Sequence, residues 1–198
     1  AGDILAKTGI AVRHLAERAP DVLAALARRF RSAAWAAARE PGARLAAGRR
    51  LLAVGDPNAA ARCARLGLAR DANRVALWWL LAQARLAAGE AATGVDACGE
   101  VLTRDPSHRP ASLARAGALL RLDRPAAARE QLECLVARHP RFLPARYLLA
   151  DLLHRRNRLN EARRQYERLC EIDPSPPEPH ARLGEVLAEL GNPLAAMD

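Results

Sequence analysis

The chain has 198 residues, of which 51% are hydrophobic and only 4% aromatic, a composition typical of closely packed helices and poor for a β-sandwich or barrel. Its net charge of +9 comes almost wholly from arginine, since Lys7 is the only lysine. The charge changes sign from stretch to stretch along the chain, so the coherent basic stripe of a nucleic-acid-binding protein is not expected.

Residues 1–40 have apolar side chains at helical spacing, interrupted at Pro20, with Asp21 as a natural helix start. This pattern predicts a helix pair. No apolar run in the chain approaches the roughly 18–20 residues of a membrane span, and no signal peptide opens it. The bias toward arginine and alanine is typical of a GC-rich bacterial genome.

From residue 41 onward, turn-forming residues recur every 34 positions. Each tolerates a left-handed backbone or supplies a turn, so each is predicted to end one helix and release the chain into the next. They are Gly55, Gly89, Asp123, Asn157 and Gly191. Prolines with the same spacing, Pro106, Pro140 and Pro174, mark corners between units. The predicted units are 41–74, 75–108, 109–142 and 143–176, followed by an incomplete unit at 177–198.

Two further columns with the same period contain only glycine or alanine. Such residues are needed where two helix backbones approach closely. The first column is Gly48, Ala82, Ala116, Ala150 and Gly184, and the second is Ala60, Gly94, Ala128, Ala162 and Ala196.

A 34-residue helix-turn-helix unit with these small residues and a closing proline resembles the tetratricopeptide repeat. Positions that carry the resemblance are Trp78, Leu81, Ala82 and Pro106 in one unit and Ala162, Tyr166, Leu169 and Pro174 in another. Positions that depart from the pattern are Arg85, Arg115, Gly94 and Ala72. The resemblance implies an all-α fold, a right-handed superhelical solenoid of antiparallel helix pairs. Residues 41–198 are then the repeat array, and residues 1–40 are a divergent N-terminal cap.

The unit at 177–198 begins a second helix in register after Gly191 and then stops. This favours a natural polypeptide that continues beyond residue 198. The alternative is a solenoid end that is atypical by itself. Self-association through the incomplete repeat is a further expectation.

One cysteine falls in the second helix of each of four units. They are Cys63, Cys98, Cys134 and Cys170. Equivalent places in neighbouring units lie about 10 Å apart, too far for a disulfide or a shared metal. We therefore predict four small buried hydrophobic residues, which favour a reducing compartment. A cytoplasmic location is predicted, with the periplasm as the alternative.

In the tetratricopeptide family the first helices of successive units line a concave groove, at about places 2, 5, 9, 12 and 13 of each unit. The resemblance implies groove residues at these places: Arg49, Leu52, Trp79, Gln83, Leu86, Leu113, Gly117, Leu120, Arg121, Tyr147, Asp151, His154 and Arg155. Apolar members could anchor a partner peptide, and Arg49, Arg121 and Arg155 could engage carboxylates on its flanks. For Trp79, partly buried packing beside Trp78 is the alternative.

No catalytic, metal or cofactor site is predicted. The five histidines fall in different units, without the helical i, i+4 pair of a metal site, and no glycine-rich phosphate loop is present. Asp105 with His108 and Asp151 with His154 have helix-neighbour spacing and are predicted to be hydrogen-bonded surface pairs. Charges spaced four apart, such as Arg129 with Glu133, indicate a solvated outer surface on the second helices.

The leading interpretation is a non-catalytic protein–protein interaction scaffold that supports complex assembly, secretion or maturation. Its partner is a protein or peptide with hydrophobic anchors and acidic flanks. An alternative is the substrate-recruiting repeat segment of a larger enzyme of glycosyltransferase, sulfotransferase or hydroxylase type. RNA binding by an arginine-rich solenoid is a third, less favoured interpretation.

Overall fold

The computed structural model of the protein describes residues 40–191, in which every regular element is an α-helix. The helices are α1 (Pro41–Ala53), α2 (Pro57–Leu68), α3 (Val75–Ala87), α4 (Ala91–Arg104), α5 (Arg109–Arg121), α6 (Pro125–Arg138), α7 (Leu143–Arg155), α8 (Leu159–Ile172) and α9 (Pro177–Glu189). The predicted cap at residues 1–40 and the predicted helix after Gly191 lie outside the described residues, except for Glu40.

The chain divides between Ala72 and Asn73 into two compact units. The first contains α1 packed against α2. The second contains α3 to α9, and each of these helices packs against the helix that follows it in the chain. In addition, the first helices of successive repeats touch, because α3 contacts α5 and α5 contacts α7.

The turn column behaves as predicted. Positive backbone φ angles in the described chain occur only in this column: 80° at Gly55, 83° at Gly89, 52° at Asp123, 56° at Asn157 and 77° at Gly191. A left-handed residue after a helix reverses the chain direction and lets later N–H groups satisfy the last carbonyls of the helix.

The same hydrogen bond closes four of these turns. The residue after each turn residue donates its N–H to the carbonyl five positions earlier, at 2.9 Å in every case. The pairs are Asp56 to Leu51, Glu90 to Arg85, Arg124 to Leu119 and Arg158 to Leu153. This Schellman pattern fixes where each first helix ends and the second begins.

Most residues of the two small columns are buried, as the close approach of the helices requires. Ala82, Ala116 and Ala150 in the first column are 0% exposed, as are Ala60, Ala128 and Ala162 in the second. Gly184 is only half-buried, and Ala196 lies outside the described residues.

Gly94 stands where the repeat pattern usually has alanine, and its surroundings explain the difference. A Cβ atom built on Gly94 would lie 2.3 Å from Cδ2 and 2.8 Å from Cγ of Leu86. Leu86 fills the space that an alanine methyl group would occupy, so an alanine at residue 94 would have to displace the Leu86 side chain.

The core of the second unit runs as a ribbon from Val95 to Val186. The second helices of this unit also carry a column of buried residues, Cys98, Leu132 and Tyr166, which are 34 residues apart and 0% exposed. Equivalent places in successive repeats thus bury side chains of very different volume, and the neighbouring residues adjust around them.

The prediction of four buried cysteines is wrong for two of them. Cys63 and Cys98 are buried, but Cys134 is exposed and Cys170 is half-buried. The last two steps between cysteines are 36 residues rather than 34, so each moves the thiol two places along its helix. Two places rotate a side chain by about 200°, which carries Cys134 from the core side to solvent.

The second helices carry the predicted solvated charge pairs. Arg129 lies 3.3 Å from Glu133, and Arg163 lies 3.3 Å from Glu167. All four side chains are more than a third exposed, so each pair contributes only about 0.2–0.5 kcal/mol.

Candidate partner-binding face

The predicted groove residues all lie on first helices, and none of them is buried. Arg49, Gln83, Arg121 and Arg155 are exposed, and the others are half-buried. On α3, α5 and α7 they fall at places 5, 9 and 12 of each unit, and on α5 and α7 also at place 13, which puts them on one side of each helix. We call the set on these three helices the first-helix face: Trp79, Gln83, Leu86, Leu113, Gly117, Leu120, Arg121, Tyr147, Asp151, His154 and Arg155.

Arg49 and Leu52 belong to α1, in the other compact unit. Arg49 is exposed and Leu52 is half-buried. They remain predicted groove residues.

Apolar members of the first-helix face have one side on the core and one side accessible. Leu86, Leu113, Leu120 and Tyr147 pack against the core of the second unit, yet each remains half-buried. Because packing holds them, these side chains are fixed in position before any partner arrives.

Trp79 packs against the histidine that begins the next first helix. The ring centroids of Trp79 and His108 are 5.1 Å apart, with an interplanar angle of 54°. His108 is held in turn because its Nδ1 accepts a hydrogen bond from the Ala111 N–H at 3.1 Å. Trp78, the other half-buried tryptophan, lies under the Arg104 guanidinium, 5.0 Å from its ring centroid.

Two hydrogen bonds link α7 to α9. The Tyr147 hydroxyl donates to Oε1 of Glu178 at 2.9 Å, and Nε2 of His154 lies 3.0 Å from Oε1 of Glu189. Burial and the bond to Glu178 raise the pKa of Tyr147. Sequence reasoning missed both glutamates, although they occupy groove places 2 and 13 of the last unit, because the groove pattern was carried across only four units.

Asp151 pairs with a different residue from the one predicted. Its carboxylate lies 3.0 Å from Nη2 of Arg155, one helical turn away, whereas His154 turns toward α9. The predicted hydrogen-bonded pair of Asp151 with His154 is therefore wrong. A long arginine side chain reaches back along its own helix, while the shorter histidine points to the neighbouring helix.

The predicted pair of Asp105 with His108 is hydrogen-bonded through the backbone, where the His108 N–H donates to the Asp105 carbonyl at 3.2 Å, while the Asp105 carboxylate has another partner. Asp105 accepts hydrogen bonds from the Ser107 N–H at 3.0 Å and from the Ser107 hydroxyl at 2.6 Å. The serine hydroxyl is the main reason that the pKa of Asp105 is lowered. The residues form an Asx turn at the corner between units, and the same turn recurs where the Ser175 N–H donates to Asp173 at 3.1 Å.

Arg121 spans two first helices. Its Nη2 donates to the backbone carbonyl of Leu86 at 3.4 Å, and the side chain remains exposed. Since its partner is a neutral carbonyl, its positive charge is available to a carboxylate.

Tyr166 lies beneath the first-helix face. Its ring meets that of Tyr147 edge-on, with centroids 6.1 Å apart. It is 0% exposed, and its hydroxyl has no hydrogen-bond partner among the described residues. Burial, followed by the charge of Asp151, raises the pKa of Tyr166 well above its usual value.

The α9 end of this surface is acidic. Glu178, Glu185 and Glu189 on α9 are exposed, and Arg182 pairs with Glu185 at 2.9 Å. Glu178 is hydrogen-bonded to the Tyr147 hydroxyl and Glu189 to the His154 ring, rather than to arginine. Neither carboxylate forms an ion pair with an arginine of residues 40–191, and Arg182 also lies near the Tyr147 hydroxyl, where it acts to lower the pKa of Tyr147.

An open depression of about 590 Å³ lies on a different side of the second unit. It is lined by six residues of α4 (Val95, Asp96, Gly99, Glu100, Leu102 and Thr103) and by Arg115 of α5. Glu100 is paired with Arg104 at 2.6 Å, and Arg115 donates to Gln131 at 2.9 Å.

Residues 40–191 contain neither a candidate metal site nor a candidate membrane-spanning helix. No group of three or more potential metal ligands comes together in this part of the chain. None of its helices is both long and apolar enough to cross a membrane.

Several solved structures have a fold similar to that of this chain. Solved structures with a similar fold include MamA 41-end from Desulfovibrio magneticus RS-1, which is 22% identical, with a TM-score of 0.72 over 80% of this chain and 90% of that one. The MamA RS-1 ArsTM double mutant is 23% identical, with a TM-score of 0.74 over 80% and 89% of the two chains. YrrB, described as a TPR protein with an unusual peptide-binding site, is 17% identical, with a TM-score of 0.68 over 85% and 87%.

Sequence comparison gives the family itself. No curated protein matches the chain significantly. The tetratricopeptide repeat model, however, matches residues 45–109 and 113–179, more than half of the sequence. The chain therefore belongs to the tetratricopeptide repeat family.

Proposed function

We propose that the protein is a non-catalytic scaffold whose first-helix face holds a peptide or helix of a protein partner. The observation that carries this proposal is the set of apolar side chains that are fixed on adjacent first helices and left half-exposed. They are Trp79, Leu86, Leu113, Leu120 and Tyr147. The cellular role is complex assembly, secretion or maturation.

These side chains have the properties of interface anchors. Tryptophan and tyrosine are enriched among the residues that contribute most to binding, because they bury a large area and lose little conformational entropy. Contacts with His108 and Glu178 restrict Trp79 and Tyr147 further. A restricted side chain loses less freedom on binding, which favours affinity.

A structural neighbour supports the class of partner. YrrB is described as a TPR protein with a peptide-binding site. At 17% identity it supports peptide binding as a use of the fold and says nothing about the sequence of the peptide.

Charge favours a protein partner over a nucleic acid. Asp151, Glu178, Glu185 and Glu189 lie on α7 and α9 beside the anchors, and phosphates would be repelled there. The acidic flank predicted for the partner is best placed at Arg121, whose guanidinium pairs with no carboxylate of residues 40–191. Arg155 is already paired with Asp151, and Arg49 on α1 remains a further candidate.

The four free cysteines fit a reducing compartment. We accordingly propose a cytoplasmic location, with the periplasm as the alternative.

The proposal can be tested with peptides selected from a random display library on the immobilised protein. Trp79→Ala and Tyr147→Ala should each weaken binding by about 2 kcal/mol, or roughly thirtyfold, the usual effect of truncating an aromatic anchor. Trp78→Ala is the matched control, since it removes the same side chain from the adjacent position of α3, where it contacts Arg104. Circular dichroism checks folding. Unchanged affinity in both test variants would show that the site lies elsewhere.

A further inference from the structure

Gly117 is an unusual residue for the centre of a helix. It lies in the interior of α5 and on the first-helix face, where the corresponding residues of α3 and α7 are Gln83 and Asp151. Glycine lowers the stability of a helix relative to alanine, because it loses more backbone freedom on folding. A glycine at this place therefore calls for a reason.

The protein's own packing supplies none. A Cβ atom built on Gly117 would meet no other heavy atom within 4 Å, and Gly117 is not among the residues with positive φ. Gly94 gives the contrast, because a Cβ atom there would collide with Leu86. Internal packing thus accounts for Gly94, whereas the space over Gly117 is open.

Two leucines flank this open space, Leu113 and Leu120, and we call the space between them, over Gly117, the notch. Leu113 lies one turn before it and Leu120 one turn after it on the same side of α5, and both are half-buried. Side chains of one helix commonly insert into the hole between residues spaced in this way on another. Gly117 leaves this hole without a side chain, whereas place 9 of the other described units carries Arg49, Gln83, Asp151 or Glu185.

A second feature lies toward the α9 end of the same surface. Glu178 and Glu189 are exposed carboxylates bonded to Tyr147 and His154 rather than to arginine. Lysine or arginine on a partner would complement them.

We infer that the partner is a peptide that seats one large apolar side chain (Leu, Phe or Trp) over Gly117 and presents a lysine or arginine to the carboxylates of α9. This inference rests on the proposed function and specifies the ligand of the same face. Gly117 determines which side chain the face accepts.

The test uses 16-residue peptides from a random display library, selected on the wild-type protein, then synthesised with a fluorescent label. Affinity is measured by fluorescence polarisation for the wild type, Gly117→Leu and Gly99→Leu. Gly99 is the matched control, because it also lies inside a helix with no heavy atom within 4 Å of an added Cβ, but it is on α4. We expect Gly117→Leu to weaken binding by about tenfold or more and Gly99→Leu to leave it within about twofold.

A double-mutant cycle tests the notch directly. Replacing the large apolar residue of the peptide by alanine should weaken binding to the wild type by about tenfold and to Gly117→Leu by much less. Gly117→Ala, a smaller change that also favours the helix, should give an intermediate loss. The Glu178→Gln/Glu189→Gln double variant should weaken binding of peptides that contain lysine or arginine, and added salt should reduce the difference.

The outcomes separate this inference from the proposed function. If binding depends on Trp79 and Tyr147 but is unaffected by Gly117→Leu, the first-helix face is the binding site and the proposed role of Gly117 is wrong. Binding lost in Gly99→Leu alone would move the site to the depression on α4 and overturn both. Selection that yields no binder, or only binders insensitive to Trp79 and Tyr147, would overturn the proposed function itself. Selected peptides without basic residues would overturn the charged part of the inference.

Discussion

Tyr166 is the largest of the completely buried side chains in the described chain, and it carries an unsatisfied polar atom. Its ring fills the place that Cys98 and Leu132 occupy in the two preceding repeats, so the ring contributes to packing. The hydroxyl, however, is buried and gains no hydrogen bond from residues 40–191. The raised pKa of Tyr166 has the same cause, since burial disfavours the charged form.

Removing this hydroxyl should therefore stabilise the protein. We expect Tyr166→Phe to raise the free energy of unfolding by about 1 kcal/mol, because a buried unpaired hydroxyl costs about 1–3 kcal/mol and the ring is kept. Urea denaturation followed by circular dichroism measures the change. Tyr147→Phe is the control, since it removes a hydroxyl that is bonded to Glu178 and should not stabilise the fold. A less stable Tyr166→Phe variant would contradict this account.

At the scale of the helix, the boundaries could be read from the sequence because few residue types tolerate a positive φ. Gly89 and Asn157 illustrate this: both stand in the 34-residue column and both adopt the left-handed conformation. The closely packed alanines, such as Ala82 and Ala150, were equally predictable, since close approach of two helices excludes larger side chains.

Side-chain partners across helices could not be read in the same way. His154 bonds to Glu189, 35 residues away, although Asp151 has the right spacing on its own helix. The choice depends on rotamers of long polar side chains, which a sequence pattern does not encode. The repeat thus predicts which face the candidate site residues share, and the structure is needed to see which of them are tied to one another.

The two glycines of α4, Gly94 and Gly99, differ in the space around them, so substituting each one tests the packing of this helix. A Cβ atom at Gly94 would collide with Leu86, while one at Gly99 would meet open space. Gly99→Ala should stabilise the protein by about 0.5–1 kcal/mol through helix propensity. Gly94→Ala gains the same propensity term but must displace Leu86, which typically costs about 1–3 kcal/mol, so it should be the less stable of the two.

Thermal or urea unfolding of both variants measures this difference. Leu86→Ala combined with Gly94→Ala supplies the control, because removing the leucine should abolish most of the penalty at residue 94. Equal stabilities for the two single variants would mean that the half-buried Leu86 side chain can move aside at no cost.

Across the whole molecule, each of four successive repeats carries one cysteine on its second helix. Their environments differ because the spacing between successive cysteines, 35 or 36 residues, is longer than the 34-residue repeat. Cys63 and Cys98 are buried, Cys170 is half-buried and Cys134 is exposed. The sequence alone suggested a single environment for all four, since a drift of two places is small along the chain but large around a helix.

These thiols should therefore react at separate rates in the folded protein. The thiolate is the reactive form, and burial raises the pKa of Cys98 to about 11 and also raises those of Cys63 and Cys170. At a pH of about 8, near the ordinary thiol pKa of about 8.5, we expect Cys134 to react first with a disulfide reagent and Cys170 to follow. Cys63 and Cys98 should react only when their helices open. Mass spectrometry of trapped peptides assigns each rate, and denaturant should make all four rates equal.

Measuring the labelling rate of Cys98 at increasing pH distinguishes the two causes of its slow reaction, namely its raised pKa and its limited accessibility. If the raised pKa were the whole cause, the rate at Cys98 would rise about tenfold per pH unit up to about 11, while the fold stayed intact. If access limits the reaction, the rate will level off at the opening rate of its repeat. Because each repeat contacts mainly its neighbours, openings in a solenoid are local, and we expect such a plateau at Cys98 and Cys63, each reporting its own part of the array. Rapid labelling of Cys98 in the native protein at a pH of about 8 would contradict the burial of α4 against its neighbours.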